Sequence, residues 1–140
     1  MANVLDEMIR VHAILEEYVM IHNAIFKFSW RKAIPIPGVF KPIDYGRYTN
    51  DLGFLASELE RLLTSLNAKP DLPEVFHQYT EALLQTVQFL HTMCTRLYEK
   101  SQGELGAYTM SEYRSDVSKY KGLVNNYRSL GGTLNQYVRQ

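Results

Sequence analysis

The sequence predicts an all-α protein, an up-down-up-down four-helix bundle with a long proline-rich connection between its first two helices. The first observation is that large apolar residues recur at alternating steps of three and four in four separate stretches, the spacing of a helix with one buried face. The second is that prolines or glycines lie between these stretches. The third is the length of 140 residues, which predicts one domain spanning residues 1–140.

The first predicted helix covers residues 3–31. Asn3 is expected to cap it, because Asp6 and Glu7 then fall in the first turn, where the helix dipole favours negative charge. Its apolar face is expected to consist of Val4, Met8, Val11, Leu15, Tyr18, His22 and Ile25. The helix should end where the prolines begin.

The second predicted helix covers residues 44–67 and has the most regular apolar face of the four. A helix of this kind must bury its face against others, so the remaining helices are expected to pack around it. The face consists of Tyr45, Tyr48, Leu52, Leu55, Leu59, Leu62 and Leu66.

The third predicted helix covers residues 72–100, and Asp71 with Glu74 forms a capping-box pattern at its start. Its apolar face is expected to consist of Leu72, Phe76, Tyr79, Leu83, Thr86, Leu90, Met93 and Leu97. Glycines follow it, and they predict the turn into the last helix.

The fourth predicted helix covers residues 110–138 and starts with a second capping-box pattern, Thr109 with Glu112. We expect it to continue, weakened, through Gly131 and Gly132. A tyrosine followed by a base recurs every seven residues along it. Since the tyrosines fall on the predicted core face, the bases should extend to water beside it. The three pairs are Tyr113-Arg114, Tyr120-Lys121 and Tyr127-Arg128.

Charge and cysteine content exclude several classes of protein. Fifteen basic residues balance fifteen acidic ones, which disfavours a general binder of nucleic acid. The single cysteine, Cys94, has no internal disulfide partner, and we expect a cytoplasmic protein. The amino-terminal residues carry acids where a signal peptide carries bases, and no uncharged run is long enough to span a bilayer.

Polar and aromatic residues gather at one predicted end of the bundle. With a rise of about 1.5 Å per residue, His22, Tyr48, His91 and Tyr120 come to roughly one level. One interpretation is that His22 is a core residue hydrogen-bonded to a tyrosine. The alternative is a polar pocket for a small ligand formed by these four residues, because bundle interiors commonly hold such sites.

No catalytic or metal-binding pattern stands out in the sequence. Glu74 and His77 have the spacing of a di-metal helix motif, but no second copy is present. Cys94 lies among apolar residues, as a buried and unreactive thiol does. We therefore expect no enzymatic activity, no metal and no cofactor.

Residues 32–43 are the longest connection and the most distinctive one. Pro35, Pro37 and Pro42 prevent a continuous helix there, and basic and aromatic residues alternate through this loop and its flanks. Arginine and aromatic residues are typical of protein interfaces. The predicted interaction surface consists of Trp30, Arg31, Lys32, Phe40, Lys41 and Arg47.

These patterns favour a non-enzymatic helical module that binds an unidentified protein partner. The first alternative is a small-ligand-binding bundle with its pocket near His22, Tyr48 and Tyr120. The second is an anion or nucleic-acid binder that uses the basic and aromatic loop. A homodimer that exchanges the last helix or the long loop is the alternative architecture.

Overall fold

A computed structural model describes residues 2–31, 44–69, 72–101 and 108–139 of the protein, and this part of the chain contains helices and no strand. The helices are α1 (Ala2–Arg31), α2 (Tyr45–Asn67), α3 (Glu74–Ser101) and α4 (Met110–Arg139). Each begins and ends within two residues of its predicted bounds, and the contacts between them fit a bundle. The four predicted helices are confirmed.

Side-chain caps explain where two of the helices begin. Asp44 accepts a hydrogen bond through Oδ1 from the backbone N–H of Arg47 at 3.0 Å. Thr109 accepts one through Oγ1 from the backbone N–H of Glu112 at 3.1 Å, as the capping pattern predicts. The helix α1 begins at Ala2, so Asn3 lies inside it and the predicted start was one residue late. Asp71, the predicted cap of α3, lies outside the described residues.

The predicted apolar face of α2 forms the centre of the core. Its five leucines are at most 2% exposed, while the tyrosines of its first turn are partly buried against the same core. The leucines are Leu52, Leu55, Leu59, Leu62 and Leu66. Residues on α3 cover them, and the apolar ones with 1% exposure or less are Phe76, Leu83, Val87, Leu90, Met93 and Cys94. The periodicity therefore identified the core correctly.

The helix α4 runs without a break through the glycine pair, as expected. Gly131 has a specific reason to lack a side chain, because a Cβ there would lie 3.1 Å from Cε1 of Tyr79. The ring of Tyr79 can thus pack directly against the backbone of α4. Tyr120 and Tyr127 are buried, whereas the bases that follow them, Lys121 and Arg128, are exposed.

The closest helix neighbours are α2 with α3 and α3 with α4. Between α2 and α3, Gln88 donates to Glu60 at 2.9 Å, and the ring of His91 lies against Gly53. Residue numbers thus rise along one helix as they fall along the other. The contacts of α3 with α4 follow the same opposed order. An up-down-up-down course for the whole bundle stays a prediction.

The helix α1 packs on α2 and, over a shorter length, on α3, but it is separated from α4. Among the described residues, no Cα atom of α1 lies within 8 Å of a Cα atom of α4. Tightly packed helices have axes about 8–10 Å apart and would bring some Cα atoms closer than this. One side of the bundle is therefore open. Near the start of α1, the buried carboxylate of Glu7 forms an ion pair with Lys69, which follows the end of α2.

Candidate functional site

The open side between α1 and α4 forms a groove, which we call the α1–α4 groove. Its walls are apolar residues that are only partly buried, and its floor is made of buried tyrosines. The wall residues are Met8, Leu15 and Phe26 on α1 and Val117 and Val124 on α4. Met8 and Leu134 line the same cavity and His22 contacts Tyr120, so α4 follows α1 in the opposite direction. From Met8 to Phe26 the groove is about 27 Å long at 1.5 Å per residue.

Two cavities lie along this groove. The first has a volume of about 380 Å³ and is lined by Met8, Val11, His12, Leu15, Phe76, Tyr79, Gly131, Leu134 and Asn135. The second has a volume of about 340 Å³ and is lined by His22, Phe26, Val117, Tyr120, Lys121, Val124, Asn125 and Arg128. Both combine an apolar lining with a few polar groups, which is the usual composition of a binding site.

A hydrogen-bonded group of three side chains crosses the floor and joins α1 to α4. The hydroxyl groups of Tyr18 and Tyr120 are hydrogen-bonded to each other, and both residues are only 1% exposed. The Tyr120 hydroxyl also contacts Nδ1 of His22 at 2.7 Å. Aromatic contacts extend the floor, since the ring of Tyr127 lies 6.0 Å from that of Tyr18 and 6.3 Å from that of Tyr79.

Burial keeps this group uncharged near neutral pH. Desolvation raises the pKa of Tyr18 and of Tyr120 far above the ordinary value. Desolvation also lowers the pKa of His22, and the nearby positive charge of Arg128 lowers it further. Burial likewise raises the pKa of the Cys94 thiol to about 12, so little thiolate forms at neutral pH. The floor offers neutral hydrogen-bond donors and acceptors rather than a charged nucleophile.

The groove has an uneven distribution of charge. Among the described residues that line the two cavities there are bases and histidines but no Asp or Glu. Lys121 and Arg128 line the second cavity from α4. Glu16 lies beside the first cavity, where its carboxylate is 3.0 Å from the ring of His12. The α4 wall is therefore basic, whereas an acid lies next to the α1 wall.

The structure brings together two of the four predicted pocket residues. His22 and Tyr120 are in direct contact and line the second cavity. His91 instead lies between α2 and α3 with Nε2 3.4 Å from the position of a Cβ on Gly53. Tyr48 packs against the core from α2. Rise per residue had placed all four at one level, but it does not specify the direction in which each side chain points.

Most of the predicted interaction surface is not described. Lys32, Phe40 and Lys41 lie outside the described residues, and Trp30 and Arg31 are the last two residues of α1. Arg47 is exposed in the first turn of α2 and lies 3.8 Å from Asp51. The interaction surface of the loop stays a prediction.

Sequence reasoning missed the groove itself and the place of two bases in it. Tyr18 was predicted on the apolar face of the first helix, whereas Lys121 and Arg128 were expected only as bases beside the core. The tyrosine–base repeat along α4 was the available signal, because a base next to a core residue lies at the edge of the buried face. Nothing in the periodicity indicated that α1 and α4 stand apart.

Across the part of the chain that the structure describes, no cluster of three or more His, Cys, Asp or Glu residues is arranged to hold a metal ion. Within the same ranges, none of the four helices has a stretch apolar enough to cross a membrane. Comparison of the chain with protein-family models, with curated proteins and with solved structures found no match.

Proposed function

We propose that the protein is a non-enzymatic interaction module that binds a helical, acidic and partly apolar surface of a protein partner in the α1–α4 groove. The observation that carries this proposal is the separation of α1 from α4 over an apolar groove without acidic lining residues among those described. A helix in an apolar groove is a recurrent mode of protein recognition. Its apolar side would contact the partly buried wall residues.

Charge supports the choice of partner. Lys121 and Arg128 project from the α4 wall, and complementary charges across an interface favour the correct partner and its orientation. An acidic helix would place carboxylates opposite these bases. The bundle would serve as a rigid support for the groove, with α1 to α4 following an up-down-up-down course.

A photo-reactive benzoyl-phenylalanine at Leu15 or Val124 tests the proposal in living cells. Both positions lie in the groove walls and are partly buried, so the probe would contact any docked protein. We expect covalent adducts to a protein peptide that contains acidic and apolar residues. The same probe at Glu60 or Lys119, both exposed outside the groove lining, is the matched control. Equal adduct yields at groove and control positions would overturn the proposal.

A second candidate function is the binding of a small amphiphilic anion in the second cavity. Its volume of about 340 Å³ lies within the usual range for small-molecule sites, and it combines Phe26, Val117 and Val124 with two bases. Native mass spectrometry of the purified protein tests this candidate. A bound anion that is lost in Arg128→Gln but kept in Lys119→Gln would favour it over the protein partner.

A further inference from the structure

We infer that the partner that covers the α1–α4 groove is a second copy of this chain, paired through a two-fold axis that runs parallel to the helices. This inference rests on the proposed function, because it names the partner for the same groove. Three features of the described residues support it. They are the opposite charges of α1 and α4, the exposed apolar side chains beside the groove, and the matching heights of these groups along the helix axes.

The charges of the two groove helices are opposite, although the whole chain is balanced. Among the α1 side chains that the structure describes, the exposed acids Asp6, Glu16 and Glu17 outnumber the exposed base Arg10. On α4 the exposed bases outnumber Glu112, the exposed acid among the described residues of that helix. These bases are Arg114, Lys119, Lys121 and Arg128. Of these charges, Lys121 and Arg128 line the groove and Glu16 lies beside it, so the α1 edge of one copy is complementary to the α4 edge of another.

One further acid on α4 is already neutralised within the chain. Asp116 is buried and accepts hydrogen bonds from Arg96 at 2.7 Å and from the hydroxyl group of Tyr108 at 2.8 Å. Its charge is therefore directed towards α3 and not towards the groove. The outward charge of α4 remains basic.

Large apolar side chains lie exposed on α1 beside the acids. Ile9 is 58% exposed and Met20 is 69% exposed. Met20 lies one helical turn after Glu16, and Ile9 lies one turn before His12. Each exposed apolar residue is therefore a neighbour, on the helix surface, of a residue at the edge of the groove. A surface that joins exposed apolar residues to partly buried ones is typical of an interface core with a polar rim.

A two-fold axis parallel to the helices places these groups opposite each other. Such an axis leaves the height of every residue unchanged and brings α1 of one copy opposite α4 of its partner. Within one chain His22 is level with Tyr120 and Met8 is level with Leu134. Counting along α1 from these pairs puts Glu16, whose carboxylate lies beside the groove residue His12, level with the stretch of α4 between Lys121 and Arg128. The contact between α1 of one copy and α4 of its partner therefore occurs twice, as in any isologous interface.

Sedimentation velocity of the full chain over a dilution series tests the inference. The unmodified protein should reversibly form a dimer. Glu16→Lys should weaken it about fivefold or more, because like charges would then meet across the interface. Lys121→Glu with Arg128→Glu should weaken it similarly. Equimolar mixing of the two variants should restore the dimer, because each then carries the charge opposite to that of its partner.

Control variants separate this interface from general charge and hydrophobic effects. Glu81→Lys makes the same charge change as Glu16→Lys at an exposed position of α3 and should leave the dimer intact. Met20→Ser should weaken the dimer, whereas Phe54→Ser, at a residue 64% exposed on α2, should not. If one charge-reversed variant is less stable, restoration of the dimer by mixing still tests the inference, because a misfolded chain would not pair with the other variant.

Two results would overturn the inference. One is a monomer at every concentration; the other is a dimer that both charge-reversed variants form as well as the unmodified protein does. If the probe at Val124 nevertheless links to another protein, the interaction module stands and only its partner is wrong. If the probe also links to nothing above the controls, both the inference and the proposed function fall.

Discussion

At the scale of single residues, the Tyr120 hydroxyl group determines which side chains of the groove floor donate hydrogen bonds and which accept them. It lies between the hydroxyl group of Tyr18 and Nδ1 of His22 but has one hydrogen to donate. If neutral His22 accepts through Nδ1, Tyr120 donates to it and accepts from Tyr18. A chain of three groups with one direction of donation thus connects α4 to α1 across the open side, where the backbones do not approach.

Tyr120→Phe should lower the free energy of unfolding by about 1–3 kcal/mol, because a buried hydroxyl group then loses its partner. Urea unfolding followed by circular dichroism measures the effect. Tyr48→Phe is the control, since no hydrogen bond joins its hydroxyl group to His22 or Tyr120. A Tyr120→Phe protein as stable as the parent would mean that these hydroxyl groups contribute nothing to holding α1 near α4.

The protonation of His22 should make stability depend on pH. Its pKa in the folded protein lies below the value of about 6.5 in the unfolded chain, so the unfolded chain binds more protons as the pH falls. The contribution of neutral His22 is therefore complete above about pH 6.5 and is lost progressively below it. His22→Gln can still hydrogen-bond to Tyr120 but does not titrate.

Urea unfolding from about pH 7.5 to about pH 5 measures this contribution. The stability advantage of the parent over His22→Gln should shrink towards the acidic end. An NMR titration of the imidazole provides a second readout, in which Arg128→Gln should raise the pKa of His22 by removing a nearby positive charge. A constant stability difference, with no response of His22 to that substitution, would contradict the proposed environment.

At the scale of elements, the leucine face of α2 accounts for much of the stability of the bundle. Leu59 and Leu62 are almost completely buried, whereas Glu60 between them is exposed and contacts Gln88 at the surface. Leu59→Ala should cost about 2–5 kcal/mol, because a cavity replaces a fully buried side chain. Glu60→Ala should change stability by no more than about 0.5 kcal/mol. Chemical denaturation measures both effects. An equal loss in the free energy of unfolding for the two variants would contradict this orientation of α2.

The start of α4 is held to α3 by the buried carboxylate of Asp116. It accepts hydrogen bonds from Arg96 and Tyr108, and Tyr108 is itself only 3% exposed. Asp116→Ala should cost about 1–3 kcal/mol, since the Tyr108 hydroxyl group loses its acceptor inside the protein. Thermal unfolding should show a clear decrease in Tm for this variant and almost none for Lys119→Ala on the exposed side. Equal Tm values would show that the carboxylate is not a structural contact.

The elements were predictable because helical periodicity is local. Leu52 to Leu66 repeat at helical spacing, and each falls in the core, while Thr109 was recognisable as a cap from its position before Glu112. The direction in which each side chain points across the bundle was not predictable in this way. His91 shares a level with His22 by rise per residue, but its ring points between α2 and α3. Height along an axis and direction around it are independent, and only the second decides which side chains meet.

At the scale of the whole molecule, the distance between α1 and α4 determines what the bundle offers to a partner. An apolar pattern predicts that a helix buries one face, but it does not fix the spacing to each neighbour. Here the large rings of Tyr18 and Tyr120 bridge the gap, and the walls above them stay partly exposed. The basic residues of the tyrosine–base repeat thereby become the rim of a groove instead of an isolated solvent-facing row.

The central claim is that the protein makes its contacts through the α1–α4 groove. Two-dimensional ¹H–¹⁵N NMR spectra over a dilution series test it most directly, because they report every backbone amide at once. We predict that concentration-dependent shift changes concentrate around Glu16, Met20, Lys121 and Arg128. Changes centred instead on Phe54 and the outer face of α2, with the groove amides unaffected, would contradict the claim.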